Sequence, residues 1–139
     1  MVGIVADVFR NPQIVLFSRD VERLAAFYEG LGFVERFRVP STGVPIHVDV
    51  ALDDYLIGIA SIDSTRDDHG LGPVAEGQRA AVVLWTDDTK AAFQDLVERG
   101  CPELQPPHVW LGRLLIAWVA DPDGHPIQIV QNLPDVDAS

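Results

Sequence analysis

The sequence predicts an α+β fold built from two tandem βαβββ units. Two observations carry this. Gln13-Ile-Val-Leu-Phe-Ser-Arg-Asp20 and Ala81-Val-Val-Leu-Trp-Thr-Asp-Asp88 are versions of one phrase, a β-rich run ending on an acidic residue, set 68 positions apart. The same offset aligns Val15 with Val83, Leu16 with Leu84, Asp20 with Asp88, Gly32 with Gly100 and Glu35 with Glu103, and conservatively Phe17 with Trp85 and Ser18 with Thr86. That spacing is close to half of the 139 residues, so the repeat nearly fills one domain spanning 1–139. The units cover about 13–62 and 80–131, with a linker over 63–79.

Each element follows in order. The first β-rich run leads to Asp20, placed to cap a helix whose apolar positions Val21, Leu24, Phe27, Tyr28 and Leu31 keep the helical period. Gly32 stands where a helix carboxyl end favours positive φ. Strand-like runs follow at about 33–39, 46–52 and 55–61, the last two joined by a turn at Asp53-Asp54. In the second unit Asp88 caps, Ala92, Leu96 and Val97 face the core, and Gly100 ends the helix. Strands are expected at about 101–105, 113–120 and 126–131, with Asp121-Pro122-Asp123-Gly124 as the final turn. The Asp, Gly, Pro and Ser of 63–79 read as the linker.

Composition narrows the function classes. Apolar residues make up 47% and charged residues 22%, enough for a packed core and unlike a disordered chain. A net charge of −11 repels phosphate backbones and anionic lipid, so neither nucleic acid nor membrane is an expected partner, and a cationic small molecule is. Cys101 is the single cysteine and forms no internal disulfide, so no oxidising compartment is required. The MVGIVADVF start lacks a basic lead and is broken by Asp7, so it does not read as a signal peptide. The expectation is a cytoplasmic protein.

The phrases Asp20…Phe27-Tyr28…Leu31-Gly32-Phe33 and Asp121-Pro122-Asp123-Gly124, inside a duplicated βαβββ frame, resemble the vicinal oxygen chelate superfamily of glyoxalases, bleomycin-resistance proteins and extradiol dioxygenases. The resemblance spans about residues 13–131. It implies paired units whose curved sheets form a ligand-binding cup. In metal-dependent members a His or Glu ligand comes from the first and last strand of each unit. Those positions fall here on Gln13, Ala81 and Gln128 and, for the last strand of the first unit, near Gly58, since the Asp53-Asp54 turn is about two residues shorter than Asp121-Pro122-Asp123-Gly124. Neutral amides, a glycine and an alanine are poor donors for a divalent ion, so the expectation is a cup with no metal and no cofactor.

Strand alternation then assigns the cup lining. Gln13, Val15 and Phe17 share one face; Ala81, Val83 and Trp85 share its counterpart; Gln128, Val130 and Trp118 join them from the last strands. Phe17, Trp85 and Trp118 would stack a planar ligand that the Gln13 and Gln128 amides orient, within one cavity. The same aromatics would also serve as ordinary core. His47-Val48-Asp49 puts an imidazole and a carboxylate on one strand face, the best acid/base pair in the chain, with a partial metal site or a plain polar strand edge as alternatives. His108, after Pro106-Pro107, is expected in a loop at the cup rim, near Trp110 and Leu111. His108 and Trp110 count among the candidate ligand-binding residues. His69 is a linker residue, His125 a structural turn residue, and Cys101 a small buried residue rather than a nucleophile.

Two functions compete. One is a metal-independent protein that sequesters an aromatic or cationic small molecule. The other is a glyoxalase-like lyase or isomerase using His47 and Asp49. A homodimer is expected, with apolar Trp110, Leu111, Leu114 and Leu115 near its interface and the Pro106–Leu111 loop reaching the partner's cup.

Overall fold

The computed structural model describes residues 11–74, 77, 78 and 80–134, so the MVGIVADVF start lies outside the described residues. The chain divides into two compact units, unit 1 ending at Ala75 and unit 2 beginning at Glu76.

Unit 1 runs β1 (Ile14–Ser18), α1 (Val21–Gly30), β2 (Val34–Val39), β3 (His47–Leu52), β4 (Tyr55–Ser61) and α2 (Ile62–His69). Unit 2 runs β5 (Val82–Trp85), α3 (Thr89–Glu98), β6 (Glu103–Trp110), β7 (Leu114–Ala120) and β8 (Pro126–Asn132). The sheets have matching orders, β1-β4-β3-β2 and β5-β8-β7-β6. In each the first strand lies parallel to the last of its βαβββ unit, and the other pairings are antiparallel. The repeat read from the sequence is the repeat of the fold.

The helices form where the caps predict. Asp20 accepts a hydrogen bond from the Arg23 amide at 3.1 Å, and Asp88 accepts one from the Ala91 amide at 3.0 Å. Such a cap stabilises a helix by about 1 kcal/mol. Gly32 and Gly100 follow with φ of 108° and 102°, conformations that side chains with a Cβ rarely adopt. α1 buries Leu24, Ala25 and Tyr28 against Val48 and Val50 of β3 and Ile59 of β4, all fully or nearly fully buried. Each large aliphatic side chain so buried is worth about 1.5–3 kcal/mol. The Tyr28 ring also meets Phe27 and Phe33 edge-on at 5.1 and 5.4 Å. In unit 2, α3 covers Ala117 and Val119 of β7 and Ile127 and Ile129 of β8.

Three expectations are corrected. The start of the 63–79 stretch is helix α2, not linker. Ser61 Oγ caps it by accepting from the Ser64 amide at 3.1 Å, Ile62 and Thr65 are buried, and Gly70 closes it at φ 68°. Second, β6 continues through Pro106-Pro107 to Trp110, so His108 and Trp110 are strand residues rather than loop residues. Its place at the sheet edge tolerates prolines that lack an N–H, and the register shifts between Glu103 and Gln105 and between Gln105 and His108 absorb them. Third, the buried face of α3 is Thr89, Phe93 and Leu96, while Ala92 and Val97 are half-buried. Thr89 sets that rotation: its hydroxyl donates to the Leu115 carbonyl at 2.9 Å, and its amide donates to Gln131 Oε1 at 2.6 Å.

The turns behave as read. Asp53 and Asp54 both have positive φ, 50° and 72°, the two-residue turn that matches strand twist in a tight hairpin. Asp121 is buried, and its Oδ1 accepts from the amides of Asp123 and His125, both at 2.9 Å, while Oδ2 meets His125 Nδ1 at 2.7 Å. His125 is thus a structural partner of the final turn. Among the described residues no helix is long and apolar enough to cross a membrane.

Candidate functional site

The face of the unit 1 sheet away from α1 gathers three residues singled out in the sequence. β3 buries Val48 and Val50 under α1, so His47 and Asp49 project to the opposite side. His47 Nε2 lies 2.7 Å from Asp49 Oδ1, and Gln13 Nε2 donates to that same oxygen at 2.8 Å. The His47 and Asp49 side chains are 27% and 18% exposed, open to a solute but partly withdrawn from water. Phe37 is paired with Asp49 across the β2–β3 ladder, and its ring centroid is 6.3 Å from that of His47. Phe17 and His47 are both opposite Ala60, so Phe17 belongs to the same cross-strand row.

Gly58 makes room for this group. A Cβ there would stand 2.6 Å from Gln13 Nε2, 3.1 Å from Val15 Cγ2 and 3.2 Å from Asp49 Oδ1. Position 58 admits the Gln13 amide only because it has no side chain.

Registers establish the equivalences between units. Val15 pairs with Gly58 as Val83 pairs with Gln128, so positions 58 and 128 correspond. Asp49 pairs with Gly58 as Trp118 pairs with Gln128, which puts a tryptophan in unit 2 where unit 1 has its carboxylate. Gln13, Gly58, Ala81 and Gln128 do not fit a divalent ion: position 58 offers no donor, and the Gln13 amide nitrogen points at Asp49. Among the described residues no group of three or more His, Cys, Asp and Glu is arranged to hold a metal.

The corresponding face of unit 2 is aromatic. Trp118 and Gln128 are opposite one another, Trp85 pairs with Val130, His108 with Ile116 and Trp110 with Leu114. A cavity of about 600 Å³ opens here, lined by Gln78, Ala81, Leu104, Gln105, Trp118 and Pro126 together with Ala80. Of the residues expected to bind ligand, Trp118 lines this cavity; Trp85, Gln128, His108 and Trp110 occupy the sheet outside its lining. Trp85 is 62% exposed, which removes the ordinary-core reading for that ring. His108 Nδ1 is within 2.8 Å of the Pro106 carbonyl.

Gln105 and Gln78 were not singled out in the sequence. Gln105 closes the expected strand of 101–105, and only its pairing with Trp118 across the irregular β6 edge shows that it shares the Trp118 row. Cys101 is buried, and burial with the nearby Asp121 carboxylate pushes its thiol pKa up, away from thiolate chemistry.

This geometry has recognisable relatives. A glyoxalase-related enzyme from Fulvimarina pelagi superposes with a TM-score of 0.73 at 24% identity, covering 88% of each chain. A hypothetical protein from S. aureus matches with a TM-score of 0.74 at 20% identity, over 88% of this chain and 94% of that one. Lactoylglutathione lyase from Agrobacterium tumefaciens matches with a TM-score of 0.66 at 15% identity, over 86% of this chain and 90% of that one. At these identities the likeness is one of fold. No curated protein is a match. The profile of the Glyoxalase/Bleomycin resistance protein/Dioxygenase superfamily matches residues 10–129, and with the duplicated βαβββ frame in place the chain belongs to that superfamily.

Proposed function

We propose that the chain is a metal-independent small-molecule-binding protein of the glyoxalase/bleomycin-resistance type that sequesters an aromatic or cationic ligand. The unit 2 cavity carries this reading. Trp118 supplies a stacking surface, Gln78 and Gln105 supply amide donors and acceptors, and no described lining residue titrates. A lining of that kind holds and orients a planar molecule and has no group to move a proton. The lack of a donor set at positions 13, 58, 81 and 128 supports metal independence, and the net charge of −11 favours a cation.

Calorimetric titration with cationic and neutral aromatic compounds tests it, with saturable binding that Trp118→Ala weakens as the expected result. Indifference to every aromatic compound overturns it. Stoichiometric Ni, Zn, Fe or Mn in the purified protein overturns the metal-independent part.

A second reading rests on the 2.7 Å contact between His47 and Asp49, in which the pair serves as acid and base of a lyase or isomerase. Turnover of a small carbonyl substrate that His47→Gln abolishes would establish that reading.

A further inference from the structure

Asp49 uses one carboxylate oxygen and leaves the other open. Both of its donors, Gln13 Nε2 and His47 Nε2, converge on Oδ1. Oδ2 has no partner among the described residues, and no described side-chain polar atom is both buried and unsatisfied, so Oδ2 is reached by solvent. No described Lys or Arg pairs with Asp49; Arg38, Arg66 and Arg99 pair with other carboxylates. The result is a carboxylate only 18% exposed whose charge no described cationic Lys or Arg compensates.

The neighbouring imidazole has a defined role in that arrangement. An ionised Asp49 only accepts, so the hydrogen of the 2.7 Å contact belongs to His47 Nε2. Beside it Phe37, 52% exposed, presents an aromatic ring that packs on nothing else among the described aromatic pairs. A carboxylate oxygen with no partner among the described residues and an exposed ring stand together on β2 and β3.

We propose that this face of unit 1 binds an organic cation carrying N–H groups, a protonated amine or an amidinium or guanidinium on an apolar body. The N–H groups donate to Asp49 Oδ2, and the apolar body packs on Phe37 with a cation–π contribution. Partial burial strengthens the charge contact relative to open water. Gln13 and His47 hold the carboxylate from the other oxygen, so the acceptor is pre-oriented before ligand arrives. This site does not depend on the unit 2 cavity.

The test is an NMR titration of the full chain with benzamidinium and with benzamide, its neutral isostere. Benzamidinium is expected to shift the His47 ring and Asp49 amide signals saturably, with at least tenfold higher affinity than benzamide. Asp49→Asn is expected to bring the unit 1 response to benzamidinium down to the benzamide level. Equal affinities for the two probes overturn the proposal, as does benzamidinium binding indifferent to Asp49→Asn or confined to unit 2 signals. Should Asp49→Asn not fold, the charged-versus-neutral comparison on the unmodified protein decides, backed by Phe37→Ala at an exposed position.

Discussion

The Gln13 side chain occupies the space that a side chain at Gly58 would fill: its amide nitrogen is 2.6 Å from where a Cβ would stand, and it donates to Asp49 Oδ1 at 2.8 Å. The two positions are 45 residues apart in sequence and are brought together by the β1–β4 and β3–β4 pairings. Gly58→Ala is therefore expected to push out the Gln13 amide and lose its bond, a cost of about 1 kcal/mol, against a gain of roughly 0.4–1 kcal/mol from the stiffer unfolded chain. In a Gln13→Ala background the first contribution is gone, so the same substitution should be less destabilising. Urea unfolding of the two singles and the double measures this coupling; strict additivity would show that the amide and the glycine do not interact.

Trp85 is 62% exposed and pairs with Val130 on the aromatic face of unit 2. Trp85→Ala should leave unfolding free energy within about 0.5 kcal/mol of the parent, as exposed substitutions do. Any loss of ligand affinity can then be read without a folding correction. A stacking role predicts a loss of roughly 1–3 kcal/mol by calorimetry, and unchanged affinity removes Trp85 from the ligand-binding residues.

Asp53 and Asp54 both carry positive φ in a turn that glycine satisfies at its second position. Asp54→Gly should raise the unfolding midpoint, relieving up to about 1 kcal/mol of left-handed strain. A lowered midpoint would show that the Asp54 side chain contributes more than its backbone costs.

Arg38 bridges Glu22 of α1 and Glu35 of β2, with its guanidinium 2.7 and 2.8 Å from the two carboxylates. The hydrogen bond from Arg38 holds the Glu22 pKa below the ordinary value of 4.5. A depressed carboxylate pKa in the folded state adds stability above the unfolded pKa, and that stability is lost as pH falls from about 4.5 through the lower folded value. Replacing Glu22 with Gln should flatten this part of the acid limb, and raised salt should shrink the difference because the pair is on the surface. Acid unfolding curves of the two proteins at low and high salt provide the comparison.

We propose that the chain is a homodimer. Leu114 is buried and Leu115 half-buried within unit 2, so of the expected cluster Trp110 and Leu111 remain exposed, beside Val109 at the end of edge strand β6, at 51%, 60% and 58%. An apolar sheet edge of this kind favours pairing with a second copy. Light scattering at micromolar concentration should return about twice the 15.2 kDa chain mass, and Trp110→Lys should return it to one. A monomer in the unmodified protein would refute the assembly.

What the sequence determined by itself was local. Asp20, Asp88, Gly32 and Gly100 act within a turn of their own helices, and the Asp53-Asp54 turn is complete in two residues. The repeat followed from those signals recurring at one spacing, and the family from the resemblance carried by Asp20…Phe27-Tyr28…Leu31-Gly32-Phe33 and Asp121-Pro122-Asp123-Gly124. The registers then bear out the correspondence of Gly58 with Gln128, because the shorter first turn is itself readable from Asp53-Asp54 against Asp121–Gly124.

Tertiary structure decided what depends on partners far along the chain. Helix α2 was hidden because its Asp- and Ser-rich composition matches a loop, and burial of Ile62 and Thr65 is what holds it in place. β6 runs past two prolines because it is an edge strand, a property of sheet order rather than of residues 103–110. His47 and Asp49 share a strand, so their pairing was legible, but the Gln13 amide reaches Asp49 across 36 residues. Gln105 joins Trp118 only through a shifted register. Period and cap chemistry report a residue's own backbone; which side chains meet across a sheet is set by strand order and register, and those are decided when the whole unit packs.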